Sequence, residues 1–338
     1  MAMSPPRWHT ISTSPHDHER AALEFVRARL PDCDPYLAWA NFEFIADDGS
    51  VYEVDLLVLT KVGVFLVEIK SWRGELSGDA GTWTRTVEGR RFAEDNPLLL
   101  ANRKAKKLKS LLQHQHAMKG KPCPWIEALI FLSTPAMPSR LTGNAALRVC
   151  FCDPEKGLAP ADRPGIVRAM THRECPGLQS GGQSSVDRPM AQMFARALQQ
   201  AGIRESRAAR RVGDYELETV LFESPTGVYQ DWLARRVAHG STRLMRIYLT
   251  SRQATTEDRE VVRKAAQREC RLLEQLDHPS ILRIEDDTES ELGPALRFRY
   301  QPEAVRLDLF IEQESERLNA GARVILLRLI AEAVKYAH

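Results

Sequence analysis

Apolar residues recur at helical spacing from Asp17 to Leu30, with Leu23, Val26 and Leu30 on one stripe, and this period predicts a helix that Pro31 ends. Three strand-like runs follow at 36–45, 51–60 and 64–71. They are parted by the turn signals Asp47-Asp48-Gly49-Ser50 and Lys61-Val62-Gly63, so the pattern is a β-meander. Shorter strands are expected at 83–87 and 90–92, a helix at 98–116, buried strands at 125–133 and 147–152, and a helix at 189–201. This order is that of an α/β (α+β) domain over residues 1–203, with the Gly/Ser-rich stretch 180–185 as a surface loop inside it. A charged linker is expected at 204–213. From residue 214 the pattern restarts, with strands at 215–221, 229–236 and 243–250, a long helix at 256–276, strands at 281–285 and 296–300, and two closing helices. No internal repeat is visible, and the two halves predict different folds.

Length and composition agree with two globular domains: 338 residues, 43% hydrophobic and 27% charged. No apolar run reaches the roughly 18 residues of a membrane span, and the start Met1-Ala2-Met3-Ser4-Pro5-Pro6 lacks the apolar core of a signal peptide, so a cytoplasmic location without a membrane partner is expected. The formal charge of +2 leaves attraction for nucleic acid to local clusters. One such cluster falls at 98–122, where seven Lys or Arg residues occur without an acid. Five of them, Arg103, Lys104, Lys106, Lys107 and Lys109, are candidate phosphate contacts on a helix. Cys150 and Cys152 share a strand face, with His172 and Cys175 beyond them, but the spacing fits no common zinc finger.

The second turn of the meander carries the candidate chemistry. With the turn centred between Lys61 and Val62, residues whose numbers sum to 123 lie opposite one another, and Asp55 meets Glu68. Opposed residues place their Cβ atoms about 4.5–5.5 Å apart, where two carboxylates repel unless a cation lies between them. Magnesium or manganese suits such a pair, since a hard cation takes one or two carboxylates and keeps other positions for water and phosphate. Side chains alternate along a strand, so Lys70 shares the face of Glu68 and can oppose the charge that builds on a phosphate. The carbonyl of Ile69 is a further candidate metal oxygen. Glu19 falls on the inner stripe of the first helix and is expected to reach the same site directly or through water.

The series Glu19, Asp55, Glu68-Ile69-Lys70-Ser71-Trp72-Arg73-Gly74, Asn96-Pro97 and then a basic helix resembles the nuclease-related (NERD) domain, a branch of the PD-(D/E)xK nucleases, over roughly residues 15–135. The resemblance implies a central mixed sheet flanked by helices, Asp55 and Glu68 as metal ligands, Lys70 as the catalytic lysine and Glu19 as the helix-borne acid. It departs from the pattern at Leu100, where many members carry Gln. From residue 214 the chain resembles the small lobe of a protein kinase, a β-sheet with an αC helix. The helix at 256–276 carries Glu269 and is followed by His278-Pro279-Ser280-Ile281. By that resemblance Arg246 stands where the ATP-binding lysine would be, and Gly227 keeps the last of three loop glycines. The chain stops at His338, before any catalytic loop, so no phosphotransfer is expected from it alone, and ATP would matter only in a full-length kinase.

The combination resembles the large PglW-type kinases of phage growth limitation and BREX antiviral systems, of which this chain would be an N-terminal piece. It implies a metal-dependent DNA endonuclease or nickase domain, with DNA and other defence-system proteins as partners. The alternative is a catalytically weak module that binds nucleic acid or a partner and regulates an attached serine/threonine (pseudo)kinase.

Overall fold

The computed structural model describes residues 7–155, 163–178, 185–205, 211–251, 254–290, 292–314 and 317–338. The loop expected at 180–185 lies almost wholly outside these residues. The chain divides into two compact units, Met1–Ala46 with Val51–Ser206, and Asp47–Ser50 with Arg207–His338.

The first unit runs β1 (Trp8–Thr10), α1 (Asp17–Arg27), β2 (Leu37–Ile45), β3 (Val51–Thr60), β4 (Gly63–Lys70), β5 (Glu75–Gly78), β6 (Thr82–Val87), β7 (Arg90–Asp95), α2 (Pro97–Gln113), β8 (Ile126–Leu132), β9 (Val149–Cys150), α3 (Ile166–His172), α4 (Arg188–Ala201) and β10 (Arg204–Glu205). Its main sheet has the order β1-β2-β3-β4-β8-β9, with β10 also paired to β2, and β5-β6-β7 form a separate three-stranded sheet. The sheet is mixed, because β2-β3-β4 are antiparallel while β4-β8-β9 are parallel. The expected linker thus starts with a strand of this sheet, and residues 206–210 lie outside the described ones.

Both faces of the sheet are covered, which explains why β3 and β4 read as nearly continuous apolar runs. Leu57, Leu59, Val64 and Leu66 face a cluster with Ala101, Ala105 and Leu108 of α2 and Phe194 of α4. Their neighbours Leu56, Val58, Phe65 and Val67 face Ala22, Leu23 and Val26 of α1 and Met170 of α3. By alternation Glu68 and Lys70 lie on the α2 side. Asn96 caps α2 by accepting from the Leu98 N–H at 2.9 Å, and Pro97 occupies the first turn, where its missing N–H costs no bond.

The second unit contains β11 (Arg211–Val212), β12 (Tyr215–Glu223), β13 (Tyr229–Arg236), β14 (Thr242–Tyr248), α5 (Thr256–Glu274), β15 (Ile284–Ser290), β16 (Gly293–Arg299), α6 (Leu307–Gln313) and α7 (Ala320–Ala337). Its sheet is antiparallel throughout, in the order β11-β12-β13-β14-β16-β15. Thr255 and Asp258 form a capping box on α5, whose Ala266 and Cys270 pack against Tyr248, Leu296 and Phe298. The strand expected at 281–285 begins only at Ile284. Among the described residues no helix is long and apolar enough to cross a membrane.

Candidate metal and phosphate site

The β3–β4 ladder has the expected register. Thr60 pairs with Gly63 and Leu56 with Val67, and the regular pairing stops there, one step short of Asp55 and Glu68. Instead of a ladder bond, Asp55 Oδ2 accepts the Ile69 N–H at 2.7 Å, while Oδ1 makes no hydrogen bond among the described residues. Because the N–H and carbonyl of a strand residue point to the same side, the Ile69 carbonyl is also directed towards β3.

Glu68 lies at the centre of the site. Its Oε1 accepts from Lys70 Nζ at 2.9 Å and its Oε2 from Lys104 Nζ at 2.7 Å. Burial alone raises the Glu68 pKa, but the two ammonium groups outweigh it and pull the carboxyl down to about 2. Burial likewise opposes the charge on Lys70, yet Glu68 and Asp55 hold it well above the usual lysine range, so it is a fixed cation at neutral pH. Asp55 goes the other way. Burial, and then the neighbouring Glu68 charge, push its carboxyl up to about 7 against the pull of Lys104 and Lys70, and Glu19 adds to the upward push.

Lys104 departs from the expectation of a surface phosphate contact. It is 6% exposed and points inward from α2 to Glu68. The helical wheel gives the reason: Lys104 lies three residues after Ala101 and four before Leu108, both fully buried, so it flanks the inner stripe. Of the other cations on α2, Lys106 is exposed, Arg103, Lys107 and Lys109 are half-buried, and Lys109 Nζ stands 5.1 Å from the centre of the Trp125 ring. Leu100 is 40% exposed, one turn before Lys104.

Glu19 belongs to α1, which covers the opposite face of the sheet, and its link to the site runs through Asn41. Asn41 has φ 52 and interrupts the β2–β3 ladder between Ala40 and Phe42. Its amide, oriented to satisfy its neighbours, donates to Glu19 Oε1 at 2.9 Å and to the Asp55 carbonyl at 3.1 Å, and it accepts from the Ser14 N–H at 3.1 Å. Among the described residues no group of three or more His, Cys, Asp or Glu side chains forms a ready cage for a metal. The fit to a divalent ion therefore rests on two carboxylates, Asp55 with an uncommitted oxygen and Glu68, which is within what magnesium requires. The cysteines form no such cage either: Cys150 and Cys175 lie with their Sγ atoms 3.6 Å apart, Cys152 turns to the Ser133 carbonyl, and His172 pairs with Thr171.

In the second unit Arg246 and Glu269 form an ion pair, with Nη1 donating to Oε1 at 2.7 Å. The sequence does not mark Asp231, the cross-strand neighbour of Arg246. Its two oxygens accept Nε and Nη2 at 2.8 and 2.9 Å, a bidentate pair that engages the guanidinium fork. Arg246 also lies 4.0 Å from the centre of the Tyr229 ring, and the Tyr248 hydroxyl donates to Glu269. Gly227, at φ 69, closes the β12–β13 turn by donating to the Ser224 carbonyl.

Residues 14–133 match the nuclease-related domain (NERD). Over 98% of its length the chain is 37% identical to the probable kinase PglW of Streptomyces coelicolor, and it spans about a fifth of that relative, 20%. Solved structures similar to it include the PknI kinase domain of Mycobacterium tuberculosis, 19% identical over 38% of this chain and 50% of that one with a TM-score of 0.29. A second structure of the same kinase domain is 19% identical over 38% of this chain and 48% of that one, with a TM-score of 0.28.

Proposed function

Because residues 14–133 match the nuclease-related domain and nearly the whole chain is similar to part of a probable kinase, we propose that the first unit is a magnesium- or manganese-dependent DNA nuclease in a cytoplasmic antiviral protein that also carries a kinase-like lobe. The observation that carries this is the Asp55–Glu68–Lys70 arrangement, in which Asp55 Oδ1 is uncommitted among the described residues, its carboxyl titrates near neutrality, and an ammonium stands beside it. A bound divalent ion supplies Lewis acidity towards the phosphodiester and offsets negative charge. Asp55 releases its proton when positive charge is placed beside Oδ1, and Glu68 is already ionised. Lys70 remains protonated, so it acts by stabilising charge on the phosphate and not as a base. Lys104 holds the second oxygen of Glu68 and so fixes the carboxylate plane.

Supercoiled plasmid incubated with the purified chain and magnesium or manganese tests this. Nicking or linearisation is expected, abolished by EDTA and reduced about a hundredfold or more in Lys70→Ala, as for loss of a preorganised charge-stabilising group. Cleavage that survives both Lys70→Ala and Asp55→Ala would overturn it.

One observation favours a second reading. Glu68 has both oxygens committed to lysines and Arg246 is committed to Asp231 and Glu269, so both units hold their charges internally. On that reading the chain binds DNA or another defence protein and regulates an attached kinase. Salt-dependent DNA binding without metal-dependent cleavage, unchanged in Asp55→Ala, would select it.

A further inference from the structure

Next to Lys70, the three-stranded sheet adds aromatic faces to the row of charge. Lys70 Nζ lies 6.0 Å from the centre of the Trp72 ring. Arg85 on β6 stands 5.1 Å from the same ring and 5.5 Å from that of Phe92, its directly opposed neighbour on β7. Its guanidinium is therefore within cation–π reach of two rings at once. Nη2 donates to Glu94 Oε1 at 3.0 Å, whereas the buried Nε has no acceptor among the described residues. Trp72 is half-buried and meets the core residue Trp83 edge-on.

Phe92 is what burial does not explain. The register places it on the same face as Trp83 and Leu76, which are 1% and 0% exposed, yet Phe92 remains 40% exposed, with Arg90 beside it on the solvent side of that face. An exposed ring flanked by arginines, close to a lysine placed for phosphate, has the make-up of a stacking platform for nucleic acid.

We infer that Trp72, Arg85 and Phe92 form a subsite for an unpaired nucleobase, which stacks on the exposed side of Phe92 while the strand's phosphates follow Arg85 and Lys70. The substrate strand on this side of the site is then single-stranded DNA, because in a duplex the base faces are covered by their neighbours. The assignment rests on the nuclease reading only for the direction of the strand, which Lys70 fixes.

The test is fluorescence anisotropy of a labelled oligothymidylate and of a duplex of equal length, titrated with the full chain in EDTA. Tighter binding of the single strand is expected. Phe92→Ala should weaken it about tenfold, as for loss of one stacked base. Phe92→Tyr should restore it, and Phe92→Leu, which keeps bulk without an aromatic face, should not. Equal affinity for both DNA forms, or a Phe92→Leu protein that binds like the parent, would overturn the subsite. The two proposals fail separately: Lys70-dependent plasmid cleavage with binding indifferent to Phe92 leaves only the nuclease, and Phe92-dependent binding without cleavage leaves only the subsite.

Discussion

Asp55→Asn should stabilise the metal-free protein at alkaline pH, which is the opposite of what removing a residue from a site usually does. The folded-state pKa of Asp55 is about 7, against 3.8 for the free side chain. A raised acid binds its proton more tightly in the native state, so unfolding releases that proton between pH 4 and 7 and stability falls as pH rises through this window. A rise of that size corresponds to at most about 4 kcal/mol once the pH exceeds 7. Asparagine stays neutral, and its oxygen can still accept the Ile69 N–H that Asp55 holds at 2.7 Å. We expect Asp55→Asn to gain about 2–4 kcal/mol in EDTA at pH 8 and less than half of that at pH 5. Urea titration followed by tryptophan fluorescence reads this unit, since Trp8, Trp39, Trp72, Trp83 and Trp125 lie in it and only Trp232 in the other. If magnesium binds as proposed, saturating it should reverse the order, because an ion held by Asp55 and Glu68 would stabilise only the parent. A variant less stable than the parent at pH 8, or a difference that ignores pH, would rule out a raised Asp55 carboxyl in the folded state.

Lys104→Met leaves Glu68 with one ammonium in place of two and should cost about 2–4 kcal/mol, as expected when a buried ion pair loses a partner; urea midpoints check it. Asn41→Ala removes three hydrogen bonds and leaves a residue less suited than asparagine to φ 52, so a loss of about 2–3 kcal/mol is expected in the same assay. Arg246→Lys cannot reproduce the fork that Asp231 accepts and should lower the melting temperature of the second unit, followed by Trp232 in a variant with the other tryptophans replaced by phenylalanine.

Much of the site can be read from the chain because it lies in a hairpin. A two-residue turn fixes register, and register places Asp55 beside Glu68 and Lys70 without knowledge of the rest of the fold. In the first hairpin, where Ile45 pairs with Val51, the register likewise puts Asn41 opposite Asp55, so its place beside the site is legible in the sequence. Composition misplaces Lys104: in a run of cations it counts as one more surface charge, although the inner-stripe test applied to Glu19 turns it inward as well. Glu19 shows the limit of that test, since an inner stripe does not say which face of the sheet its helix covers. The strand β5 is hidden from a periodicity reading because four residues with one buried apolar side chain carry almost no period. Asp231 does not stand out in the sequence, because its role depends on the pairing of β13 with β14 across a turn whose register the residues leave open.

Asp55 and Glu68 together hold a divalent ion beside Lys70 on this account, and everything proposed for catalysis depends on that. A crystal of the protein soaked in manganese, with anomalous data collected at the manganese edge, measures it directly. A peak is expected at Asp55 Oδ1 and a Glu68 oxygen, with at least one of Lys70 and Lys104 displaced from Glu68. A saturated crystal with no peak there, and both lysines still bonded to Glu68, would contradict it.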